Sequence, residues 1–136
     1  MEMNNIVKIS VARYDEIGVV VRRSENSVEI VSPFVFSEIN CFKKPATLVS
    51  EEKTDDSGRI YQTKLTFLVR GRRLPDMKRH VFLCETLSGD RVLVGSDKRP
   101  YPIVTQSENH PGNFTDSQLT TVTVDYSTRF PLSFII

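Results

Sequence analysis

Two cysteines, two histidines and six glycines are all that 136 residues offer of the types that most often mark disulfides, metal centres and phosphate-cradling loops. Each scarcity excludes something. Two cysteines build no disulfide framework, and neither Cys41 nor Cys84 has a histidine or cysteine at metal-ligand spacing. Both sit in apolar runs, which reads as buried free thiols in a reducing compartment. His80 stands beside Arg79 at the start of an apolar stretch and His110 stands in a Pro/Gly loop, so no Ser–His or Cys–His pairing is suggested. A Gly-x-Ser-x-Gly elbow is absent as well. Asp55-Asp56-Ser57-Gly58 opens like a calcium loop, but Arg59-Ile60-Tyr61 follows where later carboxylates are needed. Arg70-Gly71-Arg72 holds one glycine and precedes no helix of useful length, so it cradles no phosphate as a P-loop does. No catalytic residue, cofactor or metal is expected, and the chain reads as non-enzymatic.

Charge of one sign is also missing. Eighteen Lys and Arg against 17 Asp and Glu leave a formal charge of +1, and a general polyanion binder shows a larger surplus. No apolar run approaches the roughly 20 residues of a spanning helix. Met1-Glu2-Met3-Asn4-Asn5 lacks the charged and apolar regions of a secretory leader, so the sequon at Asn113-Phe114-Thr115 reads as chance.

What is present is alternation. A hydrophobic fraction of 39% and a charged fraction of 26% suit one folded domain over residues 1–136. Residues Ile6–Arg13 alternate as a first strand. Val19-Val20-Val21 is continuous, reading as a short strand buried on both faces or held at a subunit contact. The run Val28–Phe36 contains Pro33, which points to an edge or bulge. The clearest hairpin has Ala46–Thr54 as its first strand, a turn at Asp55–Gly58, and a return with Tyr61, Thr63, Leu65, Phe67 and Val69 on its core face. A second pairs His80–Leu87 with Arg91–Gly95 across Ser88-Gly89-Asp90. A loop over Asp97–Pro102, a short strand at Ile103–Gln106 and a loop at Asn109–Asn113 lead to a strand at Leu119–Tyr126, with Val122, Val124 and Tyr126 inward. Phe134-Ile135-Ile136 end a segment too apolar for solvent, which must dock on the domain or on a neighbouring subunit. About eight strands joined by turns predict an antiparallel β-sandwich or small barrel, with at most one short helical turn after Pro75.

The one charged constellation is Arg70, Arg72, Arg73, Lys78 and Arg79 in the connection between the hairpins, with Lys98-Arg99 further on. Clustered cations can contact phosphates in a salt-sensitive way, or form a solvated loop or an inter-subunit ion-pair patch. No aromatic residue interleaves them in sequence, which argues against stacking on single-stranded nucleic acid.

Several strings occur in a suggestive order: Asp56-Ser57-Gly58-Arg59-Ile60-Tyr61, Leu65-Thr66-Phe67-Leu68-Val69, Val81-Phe82-Leu83, Arg91-Val92-Leu93-Val94-Gly95-Ser96, Arg99-Pro100-Tyr101-Pro102 and Thr121-Val122-Thr123-Val124. Over roughly residues 45–126 the chain resembles a group of small bacteriophage- or prophage-encoded proteins of about this length. There, Asp-x-Gly-Arg-x-Tyr opens the second strand of a long hairpin, and a Val/Ile-Gly-Ser/Thr-x-x-x-Pro segment follows the second hairpin. The Arg70–Arg79 connection is shorter than the helix-bearing insert expected at that point. The resemblance implies a virion component of the tail or head–tail region and no catalytic residues. Its expected partners are copies of itself, in a homo-oligomer that can be a ring, and other virion proteins, and its setting is the virion and the host bacterial cytoplasm during assembly. In that reading Val19-Val20-Val21 and Phe134-Ile135-Ile136 are the subunit contacts, whereas core packing is the alternative for both. The runner-up function is a nucleic-acid-binding β-barrel using the Arg70–Arg79 loop.

Overall fold

The structure is a computed structural model describing residues 2–31, 36–39, 41–56, 58–70, 74–75, 77–109 and 119–135, without the side chains of 2–4, 42–45 and 109. Among the described residues it is all strand, turn and loop, with no helix. The eleven strands are β1 (Glu2–Arg13), β2 (Val20–Ser24), β3 (Ser27–Ile30), β4 (Ser37–Ile39), β5 (Cys41–Asp55), β6 (Gly58–Arg70), β7 (His80–Thr86), β8 (Arg91–Val94), β9 (Ile103–Asn109), β10 (Leu119–Thr128) and β11 (Ser133–Ile135). The all-β expectation holds; the count exceeds eight because short strands at both chain ends join the sheet.

All strands belong to one open sheet in the order β2-β3-β11-β8-β7-β1-β5-β6-β10-β9, with β4 beside the second half of β1. Every pairing is antiparallel except β3 with β11, so the sheet is mixed. The long hairpin β5–β6 forms as its alternation and turn predict. Gly58 takes φ 116° at the turn, a value glycine reaches without a Cβ clash. Thr63, Leu65, Phe67 and Val69 face inward, and Gln62 and Lys64 face water.

The sheet folds over on itself around a main core. That core gathers Ile6 and Ile9 of β1, Leu48 of β5, Leu65 and Phe67 of β6, Phe82 and Cys84 of β7, Val92 and Val94 of β8, and Val122 and Val124 of β10. A second, smaller core lies across β7 and β8, made by Ala12, Ile17, Val28, Val81 and Leu93. Strands β7 and β8 are therefore apolar on both faces, which explains why Val81-Phe82 and Val92-Leu93-Val94 read as unbroken runs.

Two expectations need correction, and a third resolves between its alternatives. The first strand starts at Glu2 rather than Ile6, since β5 pairs with Glu2 and Met3. Val19-Val20-Val21 is not buried on both faces: β2 is the first edge of the sheet, Val20 and Val21 are half-buried, and Val19 is 50% exposed. An unbroken apolar triplet fits one covered face and an edge as readily as two covered faces. Of the two placements expected for the terminal segment, docking on the domain is the one observed. Strand β11 is inserted between β3 and β8, with Phe134 against the main core and Ile135 against the second. Both of its backbone edges are taken, so strand addition at Phe134 and Ile135 is closed. The expectations at Pro33, Asn109–Asn113 beyond Asn109, and Ile136 fall outside the described residues.

Candidate functional site: a basic groove beside the last strand of the sheet

The connection between the hairpins returns to the body of the protein through Leu74, Met77 and the turn Lys78-Arg79. Leu74 and Met77 pack on the main core. The Gln106 side chain of β9 fastens the strap in place: the Leu74 amide donates to its Oε1 at 2.7 Å, and its Nε2 donates to the Leu74 carbonyl at 3.0 Å. Arg79 sits at φ 58°, the left-handed region that costs a residue with a Cβ roughly 1–2 kcal/mol. Two bonds hold that turn. The Tyr14 amide donates to the Arg79 carbonyl at 2.9 Å, and His80 Nδ1 lies 2.8 Å from the Lys78 carbonyl, which only accepts, so Nδ1 carries the hydrogen.

The turn forms one wall of an open groove of about 800 Å³, and the segment Arg99-Pro100-Tyr101-Pro102-Ile103-Val104 forms the other. Three cations thus line one groove: Lys78 and Arg79 from the connection, and Arg99 from a loop some 20 residues further along the chain. Tyr101 lies among them, its ring 5.0 Å from that of Tyr14 and tilted by 48°. The turn residues and Arg99 are far apart along the chain, and they share this groove with Tyr101 because the loop after β8 passes beside the turn before β7.

The other predicted basic residues are placed differently. Arg70 ends β6 opposite Leu119 and is not among the residues that line the groove. Arg72 and Arg73 lie outside the described residues. Most other arginines near the surface are committed: Arg13 to Asp15, Arg23 to Glu29, Arg59 to Glu52 and Arg129 to Asp55. Arg79 and Arg99 form no ion pair among the described residues.

The groove also includes Ile103 and Val104 of β9, the last strand of the sheet, beyond which no further strand pairs among the described residues. The two ends of the sheet differ. Strand β2 is blunted: the Val20 amide donates to Asp97 Oδ2 at 3.3 Å, Arg22 and Arg23 line it, and its register slips between Arg22 and Ser24. Strand β9 pairs with β10 in unbroken register from Ile103 to Asn109, contains no lysine or proline, and leaves Ile103 66% exposed.

A second basic position closes the fold instead of opening a site. Arg22 of β2 reaches across to donate to Ser133 Oγ and to the carbonyls of Ser24 and Glu25, and its guanidinium lies 3.9 Å from the Phe130 ring centroid. Burial lowers its pKa, partly countered by Tyr126. The Cys84 thiol is fully enclosed and pushed up to about 12 by burial, with Cys41 nearby adding to the effect, so it is no nucleophile at neutral pH. Among the described residues, no group of three or more His, Cys, Asp or Glu could hold a metal ion, and no helix is long and apolar enough to cross a membrane. Comparison with protein-family models, with curated proteins and with solved structures finds no match.

Proposed function

We propose that this chain is a non-enzymatic assembly subunit that acts by adding its β9 edge to a strand of a second copy or of a neighbouring protein. The observation that carries the reading is the β9 edge: among the described residues no further strand pairs with it, and its seven residues run in straight register with an exposed isoleucine. The resemblance of residues 45–126 to phage and prophage proteins supports a virion setting, in the tail or head–tail region. A nearly neutral subunit with one open edge suits isologous pairing of that edge with the same edge of a second copy, or its addition to a strand of a neighbouring protein.

The test is light scattering after gel filtration on the parent protein and on a Thr105→Lys/Ser107→Lys variant, which places charge on the exposed positions of β9. The reading requires a defined oligomer in the parent and a shift to monomer in the variant. A monomeric parent at high concentration refutes pairing of β9 with a second copy. Mass spectrometry of purified particles then tests the virion setting.

A further inference from the structure

We infer that the groove between the Lys78-Arg79 turn and the Arg99–Val104 segment binds single-stranded nucleic acid. This goes beyond assembly through β9 and stands on different residues. Lys78, Arg79 and Arg99 converge on one open groove, and the last two carry charge that no acidic group among the described residues neutralises. A compact anion site is built small and enclosed. This one is an open groove of about 800 Å³. Its surface is mixed: Met77, Pro100, Pro102 and Val104 supply apolar area, and Tyr101 supplies an aromatic ring. A chain of phosphates carrying flat apolar bases matches that mixture. The cations track the backbone, and the ring and apolar floor take the bases without reading sequence.

An acidic peptide would satisfy the cations but would have no use for a ring already braced by Tyr14. Bracing matters for stacking, since a ring held by a neighbour loses little freedom when a base lies against it. The left-handed backbone at Arg79 contributes as well. It turns the chain sharply at the end of the connection, placing Lys78 and Arg79 on the groove wall just before β7 begins.

The experiment is fluorescence anisotropy of a labelled oligo-dT of about 12 nucleotides, titrated with the full chain over a salt series. Three cations predict a log–log salt slope of about −2. Arg79→Glu/Arg99→Glu should weaken binding at least tenfold, and Tyr101→Ala roughly five- to a hundredfold. Because charge reversal can disturb folding, Arg79→Gly serves as the second variant. It suits the φ of 58°, keeps or raises the melting temperature, and still weakens binding. Absence of any salt-sensitive signal from the parent protein at low salt overturns the inference. So does binding that survives both Arg79 variants. Displacement of the oligonucleotide by poly-glutamate at equal concentration, with Tyr101→Ala without effect, would also overturn it, and would mark the groove as an acidic-protein face. The Thr105→Lys/Ser107→Lys variant should retain oligonucleotide binding, so failure of assembly and failure of this site are separable.

Discussion

The rings of Phe67 and Phe82 lie 6.4 Å apart and tilted by 54°, although their strands β6 and β7 are separated in the sheet by β5 and β1. Three steps of about 4.8 Å would hold them some 14 Å apart in a flat sheet. Their contact shows how tightly the sheet bends around its core. The same bend brings Arg22 of β2 within electrostatic reach of Tyr126 of β10, eight steps away in strand order.

Phe82 is fully buried at the centre of that fold-over, and Phe67 is nearly so. Truncation of Phe82 to alanine should cost about 3–5 kcal/mol in urea unfolding, and Phe67→Ala slightly less. The double variant should cost less than the sum, because the two rings touch. Strict additivity would deny that the contact holds the sheet closed.

Two glycines with the same dihedral separate strain from crowding. Gly58 and Gly95 both have φ 116°, but a Cβ at Gly58 meets nothing within 4 Å, whereas at Gly95 it lies 3.1–3.2 Å from Pro102 and Val81. Gly95→Ala should therefore destabilise by clearly more than Gly58→Ala, for which backbone strain alone costs about 1–2 kcal/mol. Thermal melts of the two variants give the comparison directly. It bears on the groove as well, since Pro102 lines it.

The strap at Leu74 is held by Gln106. Replacing it with alanine removes both bonds to Leu74 and leaves two backbone groups to find water, at about 1–3 kcal/mol. Hydrogen exchange should accelerate at the Leu74 amide while the amides of Val122 and Val124, in the main core, stay protected. Uniform loss of protection would mean that the strap is part of the global fold and no separate unit.

Alkaline stability follows from Cys84 and Tyr126. Burial raises both above their ordinary values, Cys84 from 9.0 to about 12. The unfolded thiol ionises first, so the unfolded state binds fewer protons from about pH 9 upward and stability falls as pH rises through that window. Below pH 9 both states carry the proton and no dependence arises from this group. Urea midpoints should decline from pH 9 towards 12, and Cys84→Ala should flatten the slope. In the parent protein Cys84 should resist a thiol reagent until the chain unfolds.

The sequence carried the two central hairpins plainly. Alternation from Tyr61 to Val69 and a glycine at the turn leave one register in which the apolar side faces in, and β5–β6 adopts it. Strand β11 was harder to read. Its three residues pair in parallel with β3, over a hundred positions earlier, and nothing local in Ser133-Phe134-Ile135 selects that partner. The groove was half legible: Lys78-Arg79 and Arg99 stood out by charge, but the turn at Arg79 and the loop through Tyr101 meet only because the sheet folds. The blunted edge at β2 and the open one at β9 were indistinguishable beforehand, since the cap on Val20 comes from Asp97, 77 residues away.

The most direct test of assembly through β9 is light scattering after gel filtration across a concentration series, with electron micrographs of any large species. The account predicts a dimer of defined stoichiometry that falls to monomers in the Thr105→Lys/Ser107→Lys variant. A parent protein that stays monomeric at every concentration, or a variant that assembles unchanged, would contradict it.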